Sequence, residues 1–164
     1  MINNVIVALS NLPIIYPMAC SAYHNDRPTL YALYLLGFAS FTSHLLMNDK
    51  HCLPGLPEHD RIPKILNSRS LSYCMNKLDV LACIILGSRF GYLFFDKFGW
   101  EGLLVILQNK RRFARLGFLV GLNAYSERDK YDPGSVRKYV ITHSLWHILV
   151  FLWIGNFSED FIYG

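Results

Sequence analysis

Long apolar stretches separated by short polar ones organise this chain, and their lengths predict helices rather than strands. Asn4 to Tyr23 is the first stretch, interrupted by Pro13 and Pro17. Thr29 to Met47 is the second and contains no Lys, Arg, Asp or Glu. Leu78 to Phe95 is the third, with Asp79 at its start and Arg89 inside. Tyr139 to Phe157 is the last. Each approaches the roughly 20 residues that a helix needs to cross a bilayer, and the prolines of the first are tolerated in such helices. Trp100 to Gln108 and Phe113 to Tyr125 are apolar but shorter, and Lys110, Arg111, Arg112 and Arg115 divide them. At 1.5 Å per residue neither reaches across about 30 Å of hydrocarbon. Between the second and third stretches, Asn48 to Asn76 is polar, with Pro54, Gly55, Pro57 and Pro63, and reads as an extramembrane loop. Ser126 to Lys138 is a charged loop in which Asp132 is placed to cap the last helix and Pro133 to open it.

Composition sharpens this pattern. Only 17% of the 164 residues are charged while 52% are hydrophobic, against about 25% charged in soluble domains. The length allows one domain, residues 1–164. A net charge of +4 is spread along the chain, and no nucleic-acid-binding module spacing occurs, so no nucleic-acid partner is expected. A signal peptide needs a positive leading region; the first basic residue is Arg27, so the first stretch is read as a retained span. No period-2 alternation of a membrane barrel is present. The expected architecture is an all-α, polytopic transmembrane helix bundle.

Against this apolar background the polar residues inside the spans stand out. An ionisable side chain at the centre of a membrane helix costs about 2.5–3.5 kcal/mol on insertion scales, and such residues face the bundle interior and carry function. The candidates are Ser40 and His44, Asp79, and His143 and His147. His143 and His147 are spaced to lie on one helix face, one turn apart, as two ligands of one metal ion do. A third histidine from another helix completes the three-ligand pattern of catalytic zinc, with one position left for water. Asp79 then stands as a carboxylate that orients that water or takes its proton. Each residue also has a plainer reading: Ser40 as a helix-packing serine, Asp79 as a residue at the water interface. The cysteines form no CxxC. Cys20 and Cys83 read as packing residues, a Cys52–Cys74 disulfide requires a non-cytosolic loop, and His51, Cys52, His59 and Cys74 have irregular spacing for a zinc site.

The order of these residues resembles a known pattern. Ser-x-x-x-His in SFTSHLL (Ser40 to Leu46), Asp79 opening LDVLACIILGS, and the final YVITHSLWH (Tyr139 to His147) resemble the CREST superfamily. That group comprises the alkaline ceramidases, the progestin/adipoQ receptors, and the post-GPI-attachment phospholipase and myomaker family, to which the likeness is nearest. The resemblance implies a zinc-dependent lipid hydrolase with His44, His143 and His147 as ligands and Ser40 and Asp79 beside the metal. That family has seven spans. Here Asp96 to Ser126 offers 31 residues where the family fits three helices, so the bundle is abbreviated.

A shared metal also fixes parity. His44 ends the second stretch and Asp79 opens the third, so both lie on one side; the last span must start there too. An odd number of crossings then separates the third and last stretches, which predicts five full crossings plus a short accessory helix. In that arrangement the metal side carries Lys50, Arg61, Lys64, Arg69, Lys77, Arg128, Lys130, Arg137 and Lys138, and the other side Arg27 and Lys97, with the 110–115 cluster unassigned. The positive-inside rule puts the metal side in the cytosol. Two functions fit: a membrane-embedded zinc hydrolase of a lipid ester or amide bond, or a non-catalytic membrane component that keeps the metal site, either a subunit of a larger complex or a membrane-remodelling protein. Membrane lipids are the expected partners in both, with membrane proteins added in the second.

Overall fold

The computed structural model describes residues 2–46, 68–129 and 133–164, and every regular element among them is helical. The helices are α1 (Ile2–Leu9), α2 (Ile15–Tyr23), α3 (Arg27–Leu45), α4 (Ser68–Phe98), α5 (Gly102–Gln108), α6 (Lys110–Asp129) and α7 (Val136–Phe157). Pro13 has no N–H to continue a helix, and the chain passes from α1 to α2 through a single 3-10 turn, Leu12–Ile14. There the Ser10 hydroxyl donates to the Val7 carbonyl (2.6 Å) and the Asn11 amide to Val7 and Ala8 (3.3 and 3.2 Å), supplying donors where the helix is broken. Asn25 turns the chain into α3 with φ of 56°, a left-handed conformation that Asn tolerates. Asp26 then caps α3, accepting from the Thr29 amide (3.2 Å) and hydroxyl (2.6 Å). Gly99, at φ of 53°, ends α4.

A few contacts set the direction of each pass. Arg89, late in α4, reaches Asp26 (2.9 Å) and Thr29 (3.2 Å) at the start of α3, so α3 and α4 are antiparallel. Asn4 donates to the Leu45 carbonyl (3.4 Å), so α1 starts where α3 ends. Ser126 meets His143 (3.0 Å) while Trp153 donates to the Arg112 carbonyl (3.3 Å), so α6 and α7 are antiparallel. Between them α5 is a seven-residue connector. Ile14, Leu33, Leu36, Ala82, Leu86 and Phe151 form the shared core. Tyr16 lies across Gly155: a Cβ there would sit 2.2 Å from its ring, so only glycine allows α2 and α7 this close.

Among the described residues, three helical stretches are long and apolar enough to cross a membrane: Asn3–Tyr23, Cys74–Gln108 and Val136–Tyr163. That is fewer than the five crossings expected. The reason is composition rather than length. α3 has 19 residues, but Thr29, Ser40, Thr42, Ser43 and His44 dilute its apolar character. α6 has 20 residues, with Lys110, Arg111, Arg112 and Arg115 at one end and Glu127, Arg128 and Asp129 at the other. The expected 48–76 loop is also shortened, because α4 already begins at Ser68; backbone hydrogen bonding extends the helix beyond its apolar part. Residues 47–67, with His51, Cys52 and His59, and Asp132 lie outside the described residues. Cys20 is buried as expected, but Cys83 is on the bundle surface.

The Asp26–Arg89 pair explains the charge inside the third stretch. Burial pushes the Asp26 carboxyl upward, but bonds from Thr29, Arg89 and Tyr163 outweigh it and leave the carboxyl below its ordinary value. A depressed folded value means the pair stabilises the protein above the unfolded carboxyl's pKa, about 3.9, and the gain disappears as pH falls through the folded value. Thermal denaturation in detergent should therefore show wild type losing stability below about pH 4; Asp26→Asn should start lower, by about 2 kcal/mol, and lack that acid-dependent loss. Gly155→Ala should cost about 1–3 kcal/mol by overpacking against Tyr16, measured in the same melts.

Candidate metal centre

Two helices deliver one imidazole cluster. His44 lies in the last turn of α3, and His143 and His147 lie one turn apart early in α7. All three are buried, at 4%, 3% and 1% exposure. Their ligand atoms lie within 4.8 Å of one another, which makes them a group able to hold a metal ion. Tyr139 stacks on His143 (4.9 Å between ring centres), and Trp146 packs on both α7 histidines (5.4 and 5.0 Å). Trp146 is thus a wall of the cluster.

Hydrogen bonds fix which nitrogen each ring presents. The Ser10 hydroxyl donates its single proton to the Val7 carbonyl, so its 2.8 Å contact with His147 Nδ1 is a bond donated by the ring. Ser126 repeats the arrangement: its hydroxyl donates to the Asn123 carbonyl (2.8 Å) and accepts from His143 Nδ1 (3.0 Å). Glu127 adds a carboxylate oxygen 3.5 Å from the same Nδ1. Both rings therefore carry Nδ1–H and leave Nε2 as a lone pair. Metal-ligating histidines are oriented in this way, the far N–H held by an oxygen acceptor.

The inner nitrogens fit a metal. His143 Nε2 and His44 Nε2 are 3.3 Å apart. Two nitrogens each about 2.0–2.1 Å from a tetrahedral zinc are about 3.3–3.4 Å apart. The contact is made either by His44 donating its Nε2–H or by both lone pairs turned to one cation.

The structure places the other expected residues less closely. Ser40 is buried one turn before His44 on α3. Asp79 is half-buried near the start of the apolar part of α4, close enough to act electrostatically on Cys83 one turn on, and it is not part of the three-histidine group. Ser10, Ser126 and Glu127 were not among the expected site residues. Their signal is not in local spacing: Ser10 comes from the proline break, and Ser126 looked like the first residue of a charged loop.

The 110–115 cluster is at the bundle end away from the histidines, because α6 runs from Arg112 beside Trp153 to Ser126 beside His143. Among the described residues that end holds Arg27, Lys97, Lys110, Arg111, Arg112 and Arg115, against Arg69, Lys77, Arg128, Arg137 and Lys138 at the histidine end, and the expected charge asymmetry is not seen among them.

Ser10→Ala and Ser126→Ala should each weaken metal binding about 10–100-fold by freeing a ring to rotate, read by competition with a chromophoric chelator. Unchanged affinity in both variants would remove the serines from the site.

No family model matches the chain, and no solved structure matches it. Among curated proteins it is 36% identical over 160 residues to "Uncharacterized protein L282" of Acanthamoeba polyphaga mimivirus, an alignment covering 98% of this chain and 99% of the viral protein.

Proposed function

The chain belongs to the family of that mimivirus protein, and we propose that it is a membrane-embedded, zinc-dependent hydrolase of an ester or amide bond in a lipid. The observation that carries the reading is the 3.3 Å approach of two Nε2 atoms from separate helices, completed by His147 and walled from water. Imidazole ligands with an open position suit zinc among the common metals. His44, His143 and His147 hold the ion in this reading. When bound, it supplies Lewis-acid chemistry, polarising a carbonyl and making a water acidic near neutral pH.

The protein's own groups do the rest. Asp79 takes a proton from the water or orients it. Ser40 donates a hydrogen bond to the water or to the developing oxyanion. Ser10 and Ser126 keep the α7 imidazoles aligned. A lipid substrate suits a site inside an apolar bundle, and the resemblance to the CREST superfamily supports the same substrate class. In this reading α3 and α6 also cross the bilayer, which makes five crossings with α5 as the accessory helix, and the histidine end, whose flanking sequence segments carry nine basic residues, faces the cytosol.

One observation favours a second reading. Only 11% of the apolar window in Cys74–Gln108 is buried inside the bundle, a large surface for lipid or for another membrane protein. The fold would then act as a non-catalytic subunit or membrane-remodelling component with a structural metal.

Turnover decides between them. Purified full-length chain, given a panel of phospholipids and N-acyl lipids, should release fatty acid. Asp79→Asn should keep its metal and lose about 10²–10⁴-fold in rate. His143→Ala should lose both metal and turnover. A fully metallated wild type without turnover on any ester or amide lipid would contradict the hydrolase and leave the non-catalytic component.

A further inference from the structure

At the end of the bundle away from the histidines, the first turns of α6 part from the last turns of α7 and the Ser158–Tyr163 turn that follows it around a cleft of about 250 Å³. Arg112, Arg115, Trp153, Asn156 and Asp160 line it, with phenylalanine rings completing the wall. Its polar groups are unevenly committed. Arg112 is ion-paired with Asp160 and lies over the Phe161 ring (5.4 Å). The single Tyr16 hydroxyl proton is shared between Glu159 Oε2 (2.8 Å) and Asn156 Oδ1 (3.1 Å), and the exposed Asn156 amide lines the cleft. Arg115 has no ion-pair or hydrogen-bond partner among the described residues. The cleft thus offers one uncompensated positive charge and several donors, while its one carboxylate is already used.

We propose that this cleft binds the phosphodiester of an anionic phospholipid headgroup. The phosphate lies against Arg115 and the free edge of Arg112, with the Asn156 amide donating, since guanidinium and amide donors match phosphate oxygens. A single uncompensated positive charge matches the single negative charge of a phosphodiester. The cleft closes the apolar stretch Val136–Tyr163, at the depth where headgroups begin, and its aromatic walls accept the glycerol and upper acyl chain. The site does not depend on a metal at the histidines.

Native mass spectrometry of the detergent-solubilised full chain, titrated with dioleoylphosphatidylglycerol, dioleoylphosphatidylcholine or inorganic phosphate, tests this. The anionic lipid should bind about tenfold more tightly than the zwitterionic one, a difference of about 1.4 kcal/mol. Arg115→Gln should abolish that preference and Arg115→Lys should keep most of it. Arg111→Gln, outside the cleft, should behave as wild type. An unchanged preference in Arg115→Gln would overturn the proposal, as would an equal loss in Arg111→Gln, which would mean diffuse surface charge. Inorganic phosphate displacing the lipid at equal affinity would mean a free-anion site and would overturn it too.

Discussion

Imidazole nitrogens brought nose to nose in an apolar interior are the constraint on which this structure turns. A neutral histidine buried without a partner for its polar atoms is expensive, and here three are gathered at one point from α3 and α7. Helices arranged for packing alone would face such rings apart, toward headgroups or loop water. Instead α3 ends where α7 begins, and His44 in one closes against His143 in the other at 3.3 Å. The alternating directions of the passes follow from that meeting: α4 must return from the histidine end, and α6 must climb back to it before α7 descends.

The serines show how the apolar bundle supports the cluster. Each satisfies a backbone carbonyl on its own helix and thereby becomes an acceptor for a ring N–H. A hydroxyl has one proton, so giving it to the carbonyl settles the tautomer of the histidine. Two unrelated helix ends, α1 at its proline break and α6 in its last turns, perform the same service. The opposite end of the bundle is organised by different chemistry. There Arg89 neutralises Asp26, which also accepts from the Tyr163 hydroxyl, and Arg112 pairs with Asp160.

Much of this was legible in the sequence. The apolar lengths gave the helices, and the four-residue spacing of His143 and His147 gave a shared face. The shared-metal reading required His44 to lie on the same side as both. What was not legible has physical causes. The apolar count of a stretch does not say whether its helix contacts lipid or neighbours, so Thr29 to Met47 reads as a span although the polar residues of α3 do not support one by composition, and the fifth crossing, required by parity alone, has no apolar stretch of its own. Ser68 to Asn76 looked like loop because helix formation needs backbone bonds rather than apolar side chains. Ser10 and Ser126 act through tertiary contacts 137 and 17 residues away, which no local pattern encodes.

The central claim, that these three rings take one metal through their inner nitrogens, is tested most directly by X-ray absorption on purified full-length protein together with its metal content. The account requires one zinc per chain with a nitrogen-rich shell at about 2.0–2.1 Å and an imidazole scattering pattern that His44→Ala reduces. A protein that folds and retains no stoichiometric metal, or one whose metal is held by sulfur, would contradict it.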